Sequence, residues 1–261
     1  MKNKLYIIPD SDNIHKSVEL SERWGLNFEY NDFFDPAVLD DNLELKRRIE
    51  LYKYLGRERG RDTLHGVFYD MCVNSSDNRI ASVTRDRMRS SMEVASILGC
   101  KGVIFHTNLI PGFEVPFYLD GWLEKNAQFY KKLLSEYPDV EIYLENMFDY
   151  KPEMLIRMCE AMKDEERFGI CLDIAHAYIS KTPLEDWIDA LAPYICHFHI
   201  NDNDGINDLH AAVGDGVIDW EKTTGLIEQV NQDASVLIEV KGIDSQIASL
   251  EYLKNKKYIC L

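Results

Sequence analysis

Eight short runs rich in aliphatic, aromatic and β-branched residues recur along the chain, each followed by a longer stretch whose apolar positions return every three or four residues. The runs fall at about 4–8 (KLYII), 27–31 (NFEYN), 62–67 (DTLHGV), 102–107 (GVIFHT), 141–146 (EIYLEN), 169–173 (GICLD), 195–200 (ICHFHI) and 235–240 (SVLIEV). A short, nearly continuous apolar run suits a strand buried on both faces, and the longer period suits a helix with one apolar stripe. Helices are predicted at about 13–24, 40–55, 79–98, 119–136, 153–164, 184–191, 220–230 and 244–256. Gly99 is placed to end the third helix, Pro138 to follow the fourth, Pro152 and Pro183 to sit in first turns, and Asp219 to cap the helix from Trp220. Strict β-then-α alternation predicts a parallel sheet with helices outside, and eight repeats predict closure into a (β/α)8 TIM barrel. A doubly wound open sheet is the other architecture this alternation allows.

No composition shift, low-complexity tract or long linker divides the chain, and 261 residues match the roughly 250 that such a barrel needs. The expectation is one domain over 1–261. The longest connection without strand or helix character runs from Asn201 to Asp219. A loop of that length on a barrel usually carries function.

Charge narrows the partners. With 29 Lys+Arg against 45 Asp+Glu the formal net charge is -16, which repels polyanions and anionic membranes and so disfavours nucleic acid. The densest basic run, Arg57, Arg59 and Arg61, precedes a strand, at the amino end of the barrel, and reads as solvated surface. Six cysteines, at 72, 100, 159, 171, 196 and 260, include no Cys-x-x-Cys pair and suit buried, reduced thiols. The opening apolar stretch is too short for a signal segment or membrane span, so a cytoplasmic location is expected.

The chemistry stands at the strand ends. His65 lies near the end of the third strand, His106 of the fourth, Glu145 of the fifth, Asp173 of the sixth, His199 of the seventh and Glu239 of the eighth. Barrel closure brings such ends to one mouth. A single histidine or glutamate there is an ordinary packing or ion-pairing residue; six metal-ligand types together are not, because burying several carboxylates in one place is costly unless a cation holds them.

Further candidates follow the strands. His176 comes three residues after Asp173, on the first turn beyond the strand, and Asp208 and His210 share one side of the long loop, ahead of Gly214-Asp215-Gly216. His197 points the same way as His199 but one layer deeper, where a hydrogen-bonded core role is expected. Lys241 reads as a solvated loop residue. Phe113, Phe117, Tyr118 and Trp122, after the fourth strand, suit either a pocket wall, a subunit contact or helix packing.

Leu144-Glu145-Asn146, Gly169-Ile-Cys-Leu-Asp173-Ile-Ala-His176, His199-Ile-Asn-Asp202 and Asp208-Leu-His210-Ala-Ala-Val-Gly214-Asp-Gly216, with Glu239 on the last strand, together resemble the xylose isomerase-like barrels. The resemblance runs from about His65 to Glu239 and implies one of two chemistries. In the family's sugar isomerases and ketose 3-epimerases, two Glu, one Asp and one His hold one Mn, Co or Mg ion. The matching residues are Glu145, Glu239, Asp173 and His199, with the two glutamates exchanging a proton on opposite faces of an enediolate and His176 touching substrate oxygens. In its endonuclease IV-like members nine ligands hold three zinc ions, and all nine find a counterpart: His65, His106, Glu145, Asp173, His176, His199, Asp208, His210 and Glu239. Such a cluster activates a hydroxide against a phosphodiester.

The departures favour the first chemistry. The loop between His199 and Asp208 is short for the endonuclease pattern, Ala177-Tyr178-Ile179-Ser180 lacks that group's glycine-containing signature, and His65-Gly66-Val67-Phe68 lacks its DNA-wedging residues. Three divalent ions on the nine ligands would leave about +2, favourable for phosphate, and one ion about -2, better suited to a neutral sugar. Five histidines favour zinc and four carboxylates suit Mn or Mg. The expectation is therefore a divalent-metal-dependent isomerase or epimerase acting on a small sugar or sugar phosphate, with one to three ions, no membrane partner and room for a homo-oligomer. A zinc-dependent phosphodiesterase cutting abasic DNA is the alternative, and a barrel that binds a ligand or metal and regulates a partner is a third class.

Overall fold

Each apolar run forms a strand: β1 (Leu5–Ile7), β2 (Asn27–Tyr30), β3 (Thr63–His65), β4 (Gly102–His106), β5 (Glu141–Glu145), β6 (Phe168–Asp173), β7 (Ile195–Ile200) and β8 (Ser235–Ile238). In the computed structural model, which describes residues 1, 4–230 and 233–259, these eight close into a barrel in chain order. The open doubly wound sheet is thereby excluded. Cys260 lies outside the described residues; the other cysteines form no disulfide.

Between the strands run α1 (Ile14–Trp24), α2 (Pro36–Asp40), α3 (Asn42–Tyr54), α4 (Asn78–Leu98), α5 (Pro116–Glu136), α6 (Glu153–Ala161), α7 (Ile174–Ile179), α8 (Leu184–Leu191), α9 (Trp220–Ile227) and α10 (Ile243–Asn255). Two of these depart from the pattern's prediction. The helix expected over 40–55 forms as α3, but the short α2 stands before it unpredicted, and Asp41, extended between the two, opens α3 with a carboxylate that accepts from Leu43 N at 2.9 Å and Glu44 N at 3.1 Å. Asp35 does the same for α2 through Ala37 N at 2.8 Å. Aspartates that bond nearby N–H groups compete with helix continuation in this way. The second, α7, follows β6 with no turn residue to announce it, because Asp173 is itself the cap. Among the described residues, no helix is long and apolar enough to cross a membrane.

Contacts along the chain gather into two compact units. The first comprises residues 1–29, 146–152 and 170–261, the second 30–145 and 153–169. In the second, β3 pairs with β4 and β4 with β5, both parallel. Leu64, Val103, Phe105, Ile142 and Leu144 are buried there, as is Trp122, whose indole N–H donates to Thr107 O at 2.9 Å. Trp122 is therefore packed into the core, the helix-packing alternative, whereas Phe117 on the same helix stands exposed. The reading of Arg57 as solvated surface is corrected. Its guanidinium holds buried Asp62, with Nη2 to Oδ1 at 2.8 Å, and Tyr30 OH donates to the same carboxylate at 2.8 Å.

In the first unit β1 pairs with β8 and with β2, β6 with β7 and β7 with β8, all parallel. The register sets His199 opposite both Asp173 and Leu237. Glu239, one residue beyond β8, is tied to β7 by its N–H donating to Ile200 O at 2.9 Å.

Candidate metal centre

In the second unit, β3, β4 and β5 end on His65, His106 and Glu145. All three side chains are buried. Both imidazoles turn Nε2 toward one oxygen, Glu145 Oε2, at 3.5 Å from His65 and 3.1 Å from His106. His65 Nδ1 lies 3.0 Å from Gly66 O. A carbonyl oxygen only accepts, so Nδ1 donates there and Nε2 is the atom turned to the carboxylate. Phe68 lies 5.1 Å from the rings of both histidines.

The first unit repeats the arrangement. His176 Nε2 and His210 Nε2 both point at Asp208 Oδ2, at 3.3 and 3.2 Å. Their Nδ1 atoms face backbone carbonyls, Asn146 O at 2.8 Å and Glu239 O at 3.1 Å, which again turns Nε2 to the carboxylate. Asp173 caps α7 by accepting from His176 N at 2.6 Å. One carboxylate thus sets the direction of the helix that carries the imidazole, for which the sequence offered the three-residue spacing as its only sign.

Asp208 and His210 are held by the long loop, and the loop is held by Asp202. That carboxylate is 0 % exposed and accepts from Asn203 N, Gly214 N, Ile218 N and Trp220 Nε1 at 3.0, 3.0, 3.2 and 2.7 Å. Gly216 is required beside it, since a Cβ there would fall 2.2 Å from Asp202 Oδ1 and 2.3 Å from Asn203 O. Asp202 also pairs through its backbone with Ala211, next to His210, whose φ of +48° is unusual for a residue with a side chain. The sequence motif contained Asp202 but gave it no role.

His199 is fully buried on β7, with Nδ1 3.3 Å from Glu239 Oε2 and Nε2 3.2 Å from Glu29 Oε1. Glu29, on β2, was missed by the sequence reading. His197 lies deeper, bonded through Nδ1 to Ser235 Oγ at 2.6 Å and through Nε2 to Glu29 Oε2 at 3.2 Å. Burial pushes the Glu29 carboxyl up, but the imidazoles of His199 and His197 outweigh it and hold it well below the usual range. Asp208 behaves alike: burial raises it, and hydrogen bonds from His176 and His210 bring it down further. Burial lowers His210, while Asp208 beside it and the Glu239 charge raise it to about 9.

Imidazole nitrogens and carboxylate oxygens that converge in this way hold a positive charge between them. A proton can supply it, as the raised His210 shows; so can a divalent cation. The donor atoms of His65, His106 and Glu145 lie within 4.8 Å of one another, as do those of His176, Asp208 and His210. Asp208 Oδ1 is buried with no hydrogen-bond partner. Imidazole and carboxylate donors at this spacing fit zinc, manganese or cobalt.

A closed (β/α)8 barrel with histidines and carboxylates at the carboxyl ends of its strands carries metal-ligand residue types where such barrels place their active sites. Residues 21–256 match the model of the xylose isomerase-like TIM barrel family, and the chain belongs to that family. It is 25% identical to the uncharacterized protein MJ1311 of Methanocaldococcus jannaschii, covering 97% of this chain and 87% of that one. Among solved structures, the TTHB071 protein of Thermus thermophilus, soaked with ZnCl2, aligns with a TM-score of 0.77 at 25% identity over 98% of this chain and 97% of its own. A D-tagatose 3-epimerase-like protein aligns with a TM-score of 0.76 at 24% identity, over 98% and 96%.

Proposed function

We propose that this chain is a divalent-metal-dependent isomerase or epimerase of a sugar or sugar phosphate. The observation that carries the proposal is the meeting of imidazole and carboxylate at the strand ends, where His199, set opposite Asp173, turns Nδ1 to within 3.3 Å of Glu239 Oε2, a donor set that suits a divalent cation. The zinc soak of the Thermus thermophilus relative supports a metal of this kind, and the net charge of -16 supports a substrate that is not a polyanion. Glu145, Asp173, His199 and Glu239 hold the central ion in this reading. A bound divalent ion would supply Lewis acidity, drawing charge from a carbonyl and its neighbouring hydroxyl. Glu145 and Glu239 take a proton from carbon on one face and return it on the other, through an enediolate, and His176 orients substrate oxygens.

A second reading, a zinc-dependent phosphodiesterase, is favoured by the two separate His–carboxylate–His arrangements, at Glu145 and at Asp208, each able to take an ion of its own.

Two measurements decide between them. Elemental analysis of protein purified without chelator, with His210→Ala beside it, is expected to give about one ion per chain that survives the substitution; two or three zinc ions reduced by it favour phosphodiester hydrolysis. Wild type is then expected to exchange solvent hydrogen into a bound ketose, and Glu145→Gln and Glu239→Gln each to lose that exchange by at least about 100-fold with the fold intact. Exchange persisting in both would sink the mechanism.

A further inference from the structure

Glu29 occupies the third position of β2 and is 0 % exposed. Its two oxygens serve different imidazoles, Oε1 at His199 Nε2 and Oε2 at His197 Nε2, both at 3.2 Å. His197 turns its other nitrogen to Ser235 Oγ at 2.6 Å, and His199 turns its other nitrogen to Glu239 Oε2 at 3.3 Å. Ser235, His197, Glu29, His199 and Glu239 therefore form one file of contacts running from the deeper layer toward the strand ends.

An ionised carboxylate only accepts, so it selects an N–H on each imidazole it meets. With the proton of His199 on Nε2, its lone pair is on Nδ1, the atom beside Glu239. With the proton of His197 on Nε2, its Nδ1 accepts from the Ser235 hydroxyl, and the ring that results pins the second oxygen of Glu29. We propose that Glu29 is a positioning residue for the metal centre: it fixes the ring and the tautomer of His199 so that Nδ1 ligates the divalent ion together with Glu239. The inference rests on the metal-centre reading above. It also accounts for His197, a buried histidine on the ligand face of β7 for which that reading has no use. A carboxylate on the far nitrogen of a ligating imidazole makes the ring a better donor and stops its rotation, and losing it weakens metal affinity by about 10–100-fold.

The test uses the full-length zinc-loaded protein and reads binding, not turnover. Two-bond proton–nitrogen spectra of histidine-labelled wild type are expected to place the His199 proton on Nε2 and the zinc on Nδ1; the reverse assignment overturns the proposal without any substitution. Chelator competition is expected to show zinc held about 10–100-fold more weakly by Glu29→Gln, with Glu29→Asp, which keeps the charge, recovering part of the loss. A merely structural Glu29 would lower thermal stability and leave zinc affinity unchanged, and that result also overturns it. If wild type binds zinc and Glu29→Gln binds it equally, the metal centre stands and only the role of Glu29 falls. If wild type takes up no zinc, the metal-centre reading falls and this inference with it.

Discussion

Asn146 holds the carboxyl end of β6 by both edges of its side-chain amide, Oδ1 accepting from Asp173 N at 2.8 Å and Nδ2 donating to Asp173 O at 3.0 Å. The same residue offers its backbone carbonyl to His176 Nδ1. One amide thereby sets the position of a carboxylate and, through the tautomer, the face of an imidazole. Asn146→Ala leaves two buried backbone groups of Asp173 without that partner. It is expected to lower stability by about 1–3 kcal/mol in urea denaturation and zinc affinity by about tenfold or more in chelator competition. Wild-type affinity in this variant would show that Asp173 does not depend on the clamp.

The loop from 201 to 219 is organised by a buried anion. Four N–H donors converge on Asp202, and Asp202→Ala strands them. A loss on the order of 3 kcal/mol is expected, together with faster hydrogen exchange of the Gly214 and Ile218 amides. Gly216→Ala tests the same packing from the other side, because its Cβ would collide with Asp202 and with the Asn203 backbone. Both variants are expected to loosen the loop that carries Asp208 and His210 while leaving the His65, His106 and Glu145 group untouched.

The barrel was legible because both of its signals are local: apolar runs for strands, and a ligand-type residue at or beside the end of each strand from His65 to Glu239. What stayed hidden depends on partners distant in sequence. Glu29 sits between Phe28 and Tyr30 in a strand, and nothing near it in the chain announces two histidines about 170 residues away. An acidic residue inside a strand of a parallel sheet, buried on both faces, was the available sign. Arg57 read as surface because a run of arginines usually is, yet Asp62, itself held by Tyr30 OH, draws it inward. Trp122 lay among exposed aromatics in the sequence, and only the acceptor at Thr107 shows why its indole is buried.

Arg57 and Asp62 offer a control for stability apart from the site. The pair lies before β3, with Asp62 buried. Arg57→Ala removes the cation and leaves a buried carboxylate that still accepts from Tyr30 OH. A loss on the order of 3 kcal/mol is expected from thermal or urea denaturation, with metal content per chain unchanged. A change in metal content would mean that this end of the strand communicates with its ligand end.

The raised His210 gives the metal-free protein a pH dependence whose sign follows from linkage. The folded-state value of about 9 lies above the ordinary imidazole value of 6.5, so the folded state binds this proton more tightly than the unfolded chain. Its contribution to stability is fully present below about pH 6.5 and is lost as pH rises through about 9. Asp208 is already ionised across that window, since its carboxyl is held below the usual range, and it adds no slope there. Chelator-treated protein is therefore expected to lose stability between pH 6.5 and 9, and His210→Ala to remove most of that slope. In the phosphodiesterase reading an ion would replace the proton between His210 and Asp208, so zinc uptake would release protons and its affinity would rise over the same window; in the isomerase reading zinc leaves this slope in place. Urea denaturation at the two pH values, with and without zinc, reads both effects. A metal-free protein whose stability is flat from pH 6.5 to 9 would show that His210 carries no extra proton and does not donate to Asp208 through Nε2.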